Sequence, residues 1–135
     1  MHSQIRRAVI VEDNTVMRKL IHAALASLGV AEIAEARDGA EAIETIRAGG
    51  ADVVIMDWVM DVMDGLECTR LIRAGVAGID PGVPIILLTG MPSEDARAKG
   101  LAAGVDLVLA KPTALGRLDA ALRDVLGRRA VGRAP

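Results

Sequence analysis

Four short apolar runs, each closed by a polar or charged residue, organise this chain. Ala8-Val9-Ile10-Val11 ends at Glu12-Asp13, and Val53-Val54-Ile55-Met56 ends at Asp57. Val83-Pro84-Ile85-Ile86-Leu87-Leu88 ends at Thr89-Gly90, and Leu107-Val108-Leu109-Ala110 ends at Lys111-Pro112. Runs this short, without polar alternation, predict strands buried on both faces of a sheet. A fifth segment, Ala31 to Ala36, alternates loosely and predicts an edge strand.

The intervening segments carry helical spacing. A first helix is predicted from near Asn14, with Met17, Leu20, Ile21, Ala24 and Leu28 on one apolar face and Gly29 as its stop. Asp38-Gly39 marks a turn before a second helix over Ala40 to Ala48, and a third is predicted from Gly65 to Ala74. Ser93 can cap a fourth helix, Glu94 to Ala103. Thr113 can cap a fifth, in which Leu115, Leu118, Leu122 and Val125 are spaced for one face. Gly127 is the predicted end of that helix, which leaves 128–135 as a flexible basic tail behind a single domain over 1–127. Strand and helix alternate in this way five times, the pattern of an α/β fold whose parallel sheet is covered on both faces.

Composition narrows the function classes. A chain of 135 residues is long enough to bury roughly two-thirds of its unfolded surface in one core. Its net charge of −2 is spread along the chain and leaves no nucleic-acid footprint. No apolar run approaches the ~18 residues of a membrane span, and the start of the chain lacks the apolar stretch of a secretory signal. A lone cysteine, Cys68, cannot form an internal disulfide, which fits a cytoplasmic protein, and its place in a predicted helix makes it a packing residue. Phe and Tyr are absent and Trp58 is the only ring, so the core is expected to be built from Ala, Val, Leu, Ile and Met.

The strand ends carry the chemistry. In a parallel sheet they share one edge, so Glu12, Asp13 and Asp57 meet there, joined by the Thr89 hydroxyl and the Lys111 ammonium. Two carboxylates about 5 Å apart repel by about 3 kcal/mol at an effective dielectric of 20. Such a cluster calls for a cation. Taken singly, each residue has a plainer reading. Asp13 suits a helix cap, Glu12 a solvated charge, and Thr89-Gly90 and Lys111-Pro112 ordinary loops.

With these residues in this order, and with Asp64-Gly65 beyond Asp57, the chain resembles the receiver domains of two-component response regulators from about Ile5 to Gly127. The resemblance implies a doubly wound (βα)5, flavodoxin-like/CheY-like fold with strand order 2-1-3-4-5, the order known for receiver proteins. It makes Asp57 the phosphoacceptor, with Lys111 and Thr89 contacting the phosphoryl group. It further implies a Mg2+ ion held by Asp13, Asp57, the Val59 main-chain carbonyl and, through water, Glu12. Hard oxygen ligands suit that ion. Expected partners are a histidine kinase or histidine phosphotransfer protein, and a target protein on the helix 4–strand 5–helix 5 face. That face offers Glu94, Asp95, Arg97, Lys99, Val108, Arg117 and Arg123. The reading is a stand-alone regulator without a DNA-binding domain or membrane segment, monomeric or dimerising on phosphorylation. It turns over no separate substrate.

The chain departs from the family pattern in three respects. Met60-Asp61 stands where Met-Pro is usual, which adds an acid and frees a backbone angle. Val108 occupies the place of the aromatic switch residue and has no ring to swing as Thr89 moves. Val59 and Met91 are apolar where the family tunes phosphoryl lifetime, so they are expected to exclude water and prolong it.

Other readings are an aspartyl-phosphate phosphatase, a flavin-binding flavodoxin and a scaffold that binds constitutively. The phosphatase would need a second acid at Val59. The flavodoxin would need a hydroxyl-rich phosphate loop where Glu12-Asp13-Asn14 stands.

Overall fold

The computed structural model describes residues 5–113 and 115–132. Five strands, β1 (Arg7–Val11), β2 (Glu32–Ala36), β3 (Val53–Asp57), β4 (Ile85–Thr89) and β5 (Leu107–Ala110), form one parallel sheet in the order β2-β1-β3-β4-β5. Helices α1 (Thr15–Ser27), α2 (Gly39–Gly49), α3 (Gly65–Arg73), α4 (Glu94–Ala103) and α5 (Leu115–Gly132) alternate with them. The sheet reverses direction of growth between β1 and β3, which places the crevice at the carboxyl ends of those strands.

Each continuous apolar run is divided by the two-residue period of a strand between two cores. Val9, Val11, Val54, Met56, Ile85 and Leu87 face one side, where they meet Ala42 and Ile46 of α2, Cys68 and Ile72 of α3, and Ala103 of α4. Ala8, Ile10, Val53, Ile55, Ile86 and Leu88 face the other, against Ile21 and Leu25 of α1 and Leu118, Leu122 and Val125 of α5. Burial on both faces explains why these strands show no alternation in sequence. The core is aliphatic and sulfur-containing, as the composition requires. Cys68 is one of its packing residues, and burial pushes its thiol up to about 12.

Local signals set the helix starts. Asn14, Asp38, Asp64 and Ser93 cap α1 to α4, each side chain accepting the backbone N–H three residues on. Two apolar positions were misassigned by spacing. Leu20 was placed on the core face of α1 but is 57% exposed, because Ile21 and Leu25 one position round take the buried stripe. Leu115, in the first turn of α5, is likewise exposed. That helix also continues past Gly127 to Gly132, since one glycine costs only about 1 kcal/mol among good helix formers. Residues 133–135 of the expected tail lie outside the described residues. The expected Thr113 cap borders Ala114, also outside them, and the Thr113 hydroxyl donates to the Ala110 carbonyl at 2.8 Å.

Candidate functional site

The β1 end supplies the first two acids. Glu12 N–H donates to the Ala36 carbonyl at 2.9 Å, which continues the pairing with β2 one residue past the strand. Its carboxylate is fully buried, accepting from Lys111 Nζ at 2.9 Å on Oε1 and from Asn14 N–H at 3.1 Å on Oε2. Asn14, not Asp13, caps α1, with Oδ1 accepting Met17 N–H at 2.9 Å. The plainer reading of Asp13 therefore does not hold, and its exposed carboxylate is free for the crevice.

Asp57 closes β3 and is 5% exposed. Its place depends on Gly65. A side chain there would come within 2.5 Å of the Asp57 carbonyl oxygen and 2.8 Å of Leu87 Cδ1, so only glycine lets α3 start this close. Gly65 N–H donates to the Trp58 carbonyl at 2.8 Å and fastens the loop behind the acid. Across the crevice, Lys111 N–H donates to the Thr89 carbonyl at 2.8 Å, and the Lys111–Pro112 peptide is cis. Lys111 Nζ reaches Asp57 Oδ1 at 3.2 Å as well as Glu12. Thr89 is nearly buried at the end of β4, and its Oγ1 accepts Met91 N–H at 3.1 Å.

Carboxylate oxygens of Glu12, Asp13 and Asp57 all lie within 4.8 Å of one another. Lys111 offsets only part of this charge. Burial alone would lower the Lys111 pKa, but its hydrogen bonds to Glu12 and Asp57 outweigh that and raise it. Asp13 has no such partner. Partial burial and the adjacent Glu12 carboxylate push its pKa above the ordinary aspartate value, and Lys111 opposes them too weakly. Three converging hard-oxygen donors with one ammonium between them fit a small divalent cation.

The three acids, Thr89 and Lys111 line a crevice of about 570 Å3. Val59 and Met91 line it together with Trp58, and the two residues are 77% and 83% exposed, an apolar rim beside the acids. Asp61 is exposed and outside the acid cluster, although its carbonyl accepts Met63 N–H at 2.7 Å. The next residue, Val62, has a φ of 68°, a left-handed conformation unusual for a β-branched residue. Val108 points at α4. A side chain on Gly100 would come within 2.7 Å of Val108 Cγ2, so the small residue on the helix accommodates the valine. On the α4–β5–α5 face, Glu94, Arg97 and Arg117 are exposed, Lys99 pairs with Asp95 at 3.1 Å, and Arg123 pairs with Asp119 at 3.2 Å.

Residues 8–123 match the sequence profile of the response regulator receiver domain. The chain belongs to that family. Among similar proteins, the response regulator MprA of Mycobacterium tuberculosis (strain H37Rv) is 35% identical over 122 residues, covering 90% of this chain and 51% of that protein. MprA of Mycobacterium sp. (strain KMS) is 36% identical over 96% of this chain and 54% of its own length. The chain thus spans about half the length of the curated relatives it matches. Among solved structures, the receiver domain of the sensor histidine kinase PA1611 from Pseudomonas aeruginosa has a TM-score of 0.80 at 35% identity, covering 90% of this chain and 98% of that one. That receiver domain has a magnesium ion coordinated in its active-site cleft. Vibrio cholerae chemotaxis protein CheY4 has a TM-score of 0.81 at 29% identity, with the same coverage of both chains. As a receiver domain, this chain is a module of two-component signalling. No helix among the described residues is long and apolar enough to cross a membrane.

Sequence reasoning passed over Arg18. Its guanidinium donates from one nitrogen to the Glu12 carbonyl at 2.9 Å and from Nε to Glu35 at 2.8 Å. The signal available was a basic residue in the first helix, close after an acid pair, with a further acid one residue before the end of the edge strand.

Proposed function

We propose that this domain takes a phosphoryl group onto Asp57 from the phosphohistidine of a histidine kinase or phosphotransfer protein, in a magnesium-dependent step. It then signals, as a cytoplasmic regulator, through phosphorylation-dependent protein contacts. The observation carrying this reading is the convergence of Glu12, Asp13 and Asp57 around a single ammonium, with Asp13 left uncompensated.

In the reaction, an Asp57 carboxylate oxygen attacks phosphorus. The P–N bond breaks, its electron pair stays on the imidazole, and the new P–O bond makes an acyl phosphate. Phosphoryl transfer needs positioning and charge neutralisation more than covalent help from the protein. Bound magnesium would supply part of that neutralisation, held by Asp13, Asp57 and the Val59 carbonyl, with Glu12 acting through water. Lys111 neutralises the other side, exchanging its 3.2 Å contact to Asp57 for a phosphoryl oxygen. Thr89, whose Oγ1 only accepts in its bond from Met91 N–H, donates its hydroxyl hydrogen to another. Hydrogen bonds to charged groups contribute about 1.5–3 kcal/mol each, and inverting a 1:99 equilibrium takes about 5.5 kcal/mol. Two such contacts, made only in the phosphorylated state, are of that size. Catalysis on a separate substrate is no part of this reading, and the apolar Val59 stands where a phosphatase would need its acid.

Trp58 lines the crevice next to Asp57 and is the only fluorophore. Magnesium titration is expected to change its emission saturably. A small acyl-phosphate donor should then give a second change that Asp57→Asn lacks. A donor response of equal size in the variant would overturn the assignment of Asp57. Replacing Val59 and Met91 with polar residues is expected to shorten phosphoryl lifetime, and unchanged decay would remove their role.

A further inference from the structure

Asp13 is the one acid of the cluster that neither caps a helix nor pairs with the lysine, so something else must fix where it stands. The peptide that carries it into the crevice joins Glu12 to Asp13. On its amino side this segment is tied to β2 through Glu12 N–H. On its carbonyl side it is tied by Arg18, whose guanidinium donates to the Glu12 carbonyl at 2.9 Å. Arg18 is itself held, with Nε donating to Glu35 Oε1 at 2.8 Å and its side chain 13% exposed. Glu35 is shared with His22, whose Nδ1 lies 2.6 Å from Oε2. Arg18 and His22 are one helical turn apart on α1, and Glu35 belongs to β2, so the contact chain joins helix, edge strand and acid loop. An exposed ion pair contributes little by itself. This one is different in kind because one arm of the planar fork donates to the carbonyl of the acid pair while Nε, in fixed geometry to that arm, is anchored on Glu35.

We propose that Arg18 is a positioning residue of the cation site, clamping the Glu12–Asp13 peptide so that the Asp13 carboxylate faces Asp57, with Glu35 holding Arg18 in place. This rests on the magnesium-dependent reading above.

The test is magnesium titration followed by Trp58 emission in wild type, Arg18→Ala, Arg18→Lys and Glu35→Gln, with urea midpoints measured in the absence of magnesium. Removing a group that orients a metal ligand typically weakens metal affinity by 10–100-fold, so Arg18→Ala is expected to raise the magnesium midpoint about tenfold. Arg18→Lys should remain weakened, since one ammonium cannot reproduce the fork. Glu35→Gln should shift the midpoint in the same direction by a smaller factor. A merely structural role would move the urea midpoint and leave the magnesium midpoint where it was, which would overturn the clamp. Should Arg18→Ala fail to fold, Glu35→Gln decides: an unchanged magnesium midpoint there overturns the proposal. If wild type itself shows no magnesium binding by direct measurement, the functional reading falls. If wild type binds and the Arg18 variants bind equally well, only the clamp falls.

Discussion

The two ends of the sheet use the same residue types for opposite purposes. At the amino end, Arg73 donates to the carbonyls of Gly104, Pro81 and Val83 and to Asp106 Oδ2, and Asp106 also accepts Ile85 N–H at 2.8 Å. Asp52 there accepts the N–H groups of Arg6 and Arg7 at 2.8 and 3.0 Å. These charges are matched to donors and acceptors of the loops they join. At the carboxyl end, three acids cluster, only Glu12 and Asp57 pair with Lys111, and Asp13 is left with a raised pKa. Matched charge stabilises a fold, whereas unmatched charge held in place by the fold is available to a ligand.

The largest expected effect breaks the amino end. Arg73→Ala removes at least four hydrogen bonds, one of them to the half-buried Asp106 carboxylate. Breaking a fully buried pair costs 3–5 kcal/mol, and the partial exposure here reduces this to about 2 kcal/mol. Urea unfolding should show that loss with the magnesium midpoint unchanged. A shifted magnesium midpoint would mean that the two ends are not separate.

A smaller effect of opposite sign is expected at the carboxyl end. Asp13→Asn removes a carboxylate that its neighbours disfavour. Because Asp13 is exposed to water, the gain in magnesium-free stability should be below about 1 kcal/mol at neutral pH. The same substitution should weaken magnesium binding at least about tenfold, because a charged ligand is lost. Loss of stability in both conditions would contradict the idea of stored repulsion.

The smallest effect separates paired from unpaired acids along one edge. Burial alone would raise the Glu35 pKa, but hydrogen bonds from Arg18 and His22 outweigh it and lower it below the ordinary 4.5. A carboxyl whose folded pKa is depressed contributes stability above its unfolded pKa and loses it as pH falls through the folded value. Glu35→Gln should therefore cost under about 1 kcal/mol at pH 6 and nothing once pH is well below 4. A difference between wild type and variant that persists in strong acid would show that the cost is packing, not charge.

Much of the fold and of the site was legible because each depends on one-dimensional patterns. Strands buried on both faces announce themselves as short apolar runs, and in a parallel sheet the residues that close them must share an edge. Glu12, Asp13, Asp57, Thr89 and Lys111 were therefore locatable before any coordinates. Spacing failed where two adjacent positions compete for one face, as Leu20 and Ile21 do. It also failed for Arg18 and Arg73, whose importance lies in which backbone carbonyls their long side chains reach. Gly65 and Gly100 belong to the same class, since closeness of approach leaves no periodic trace in sequence.

The contact between Gly100 and Val108 has a historical consequence. Two positions eight residues apart share a single volume, so neither can be enlarged freely while the other stays as it is. A lineage passing from this receiver to one with an aromatic residue at 108 would have to reshape the α4 seat as well as change the side chain. Randomising 108 alone should enrich small residues, and randomising both positions should return pairs in which bulk on one side is matched by its lack on the other. Position 100 would then be inherited together with position 108, as a linked pair.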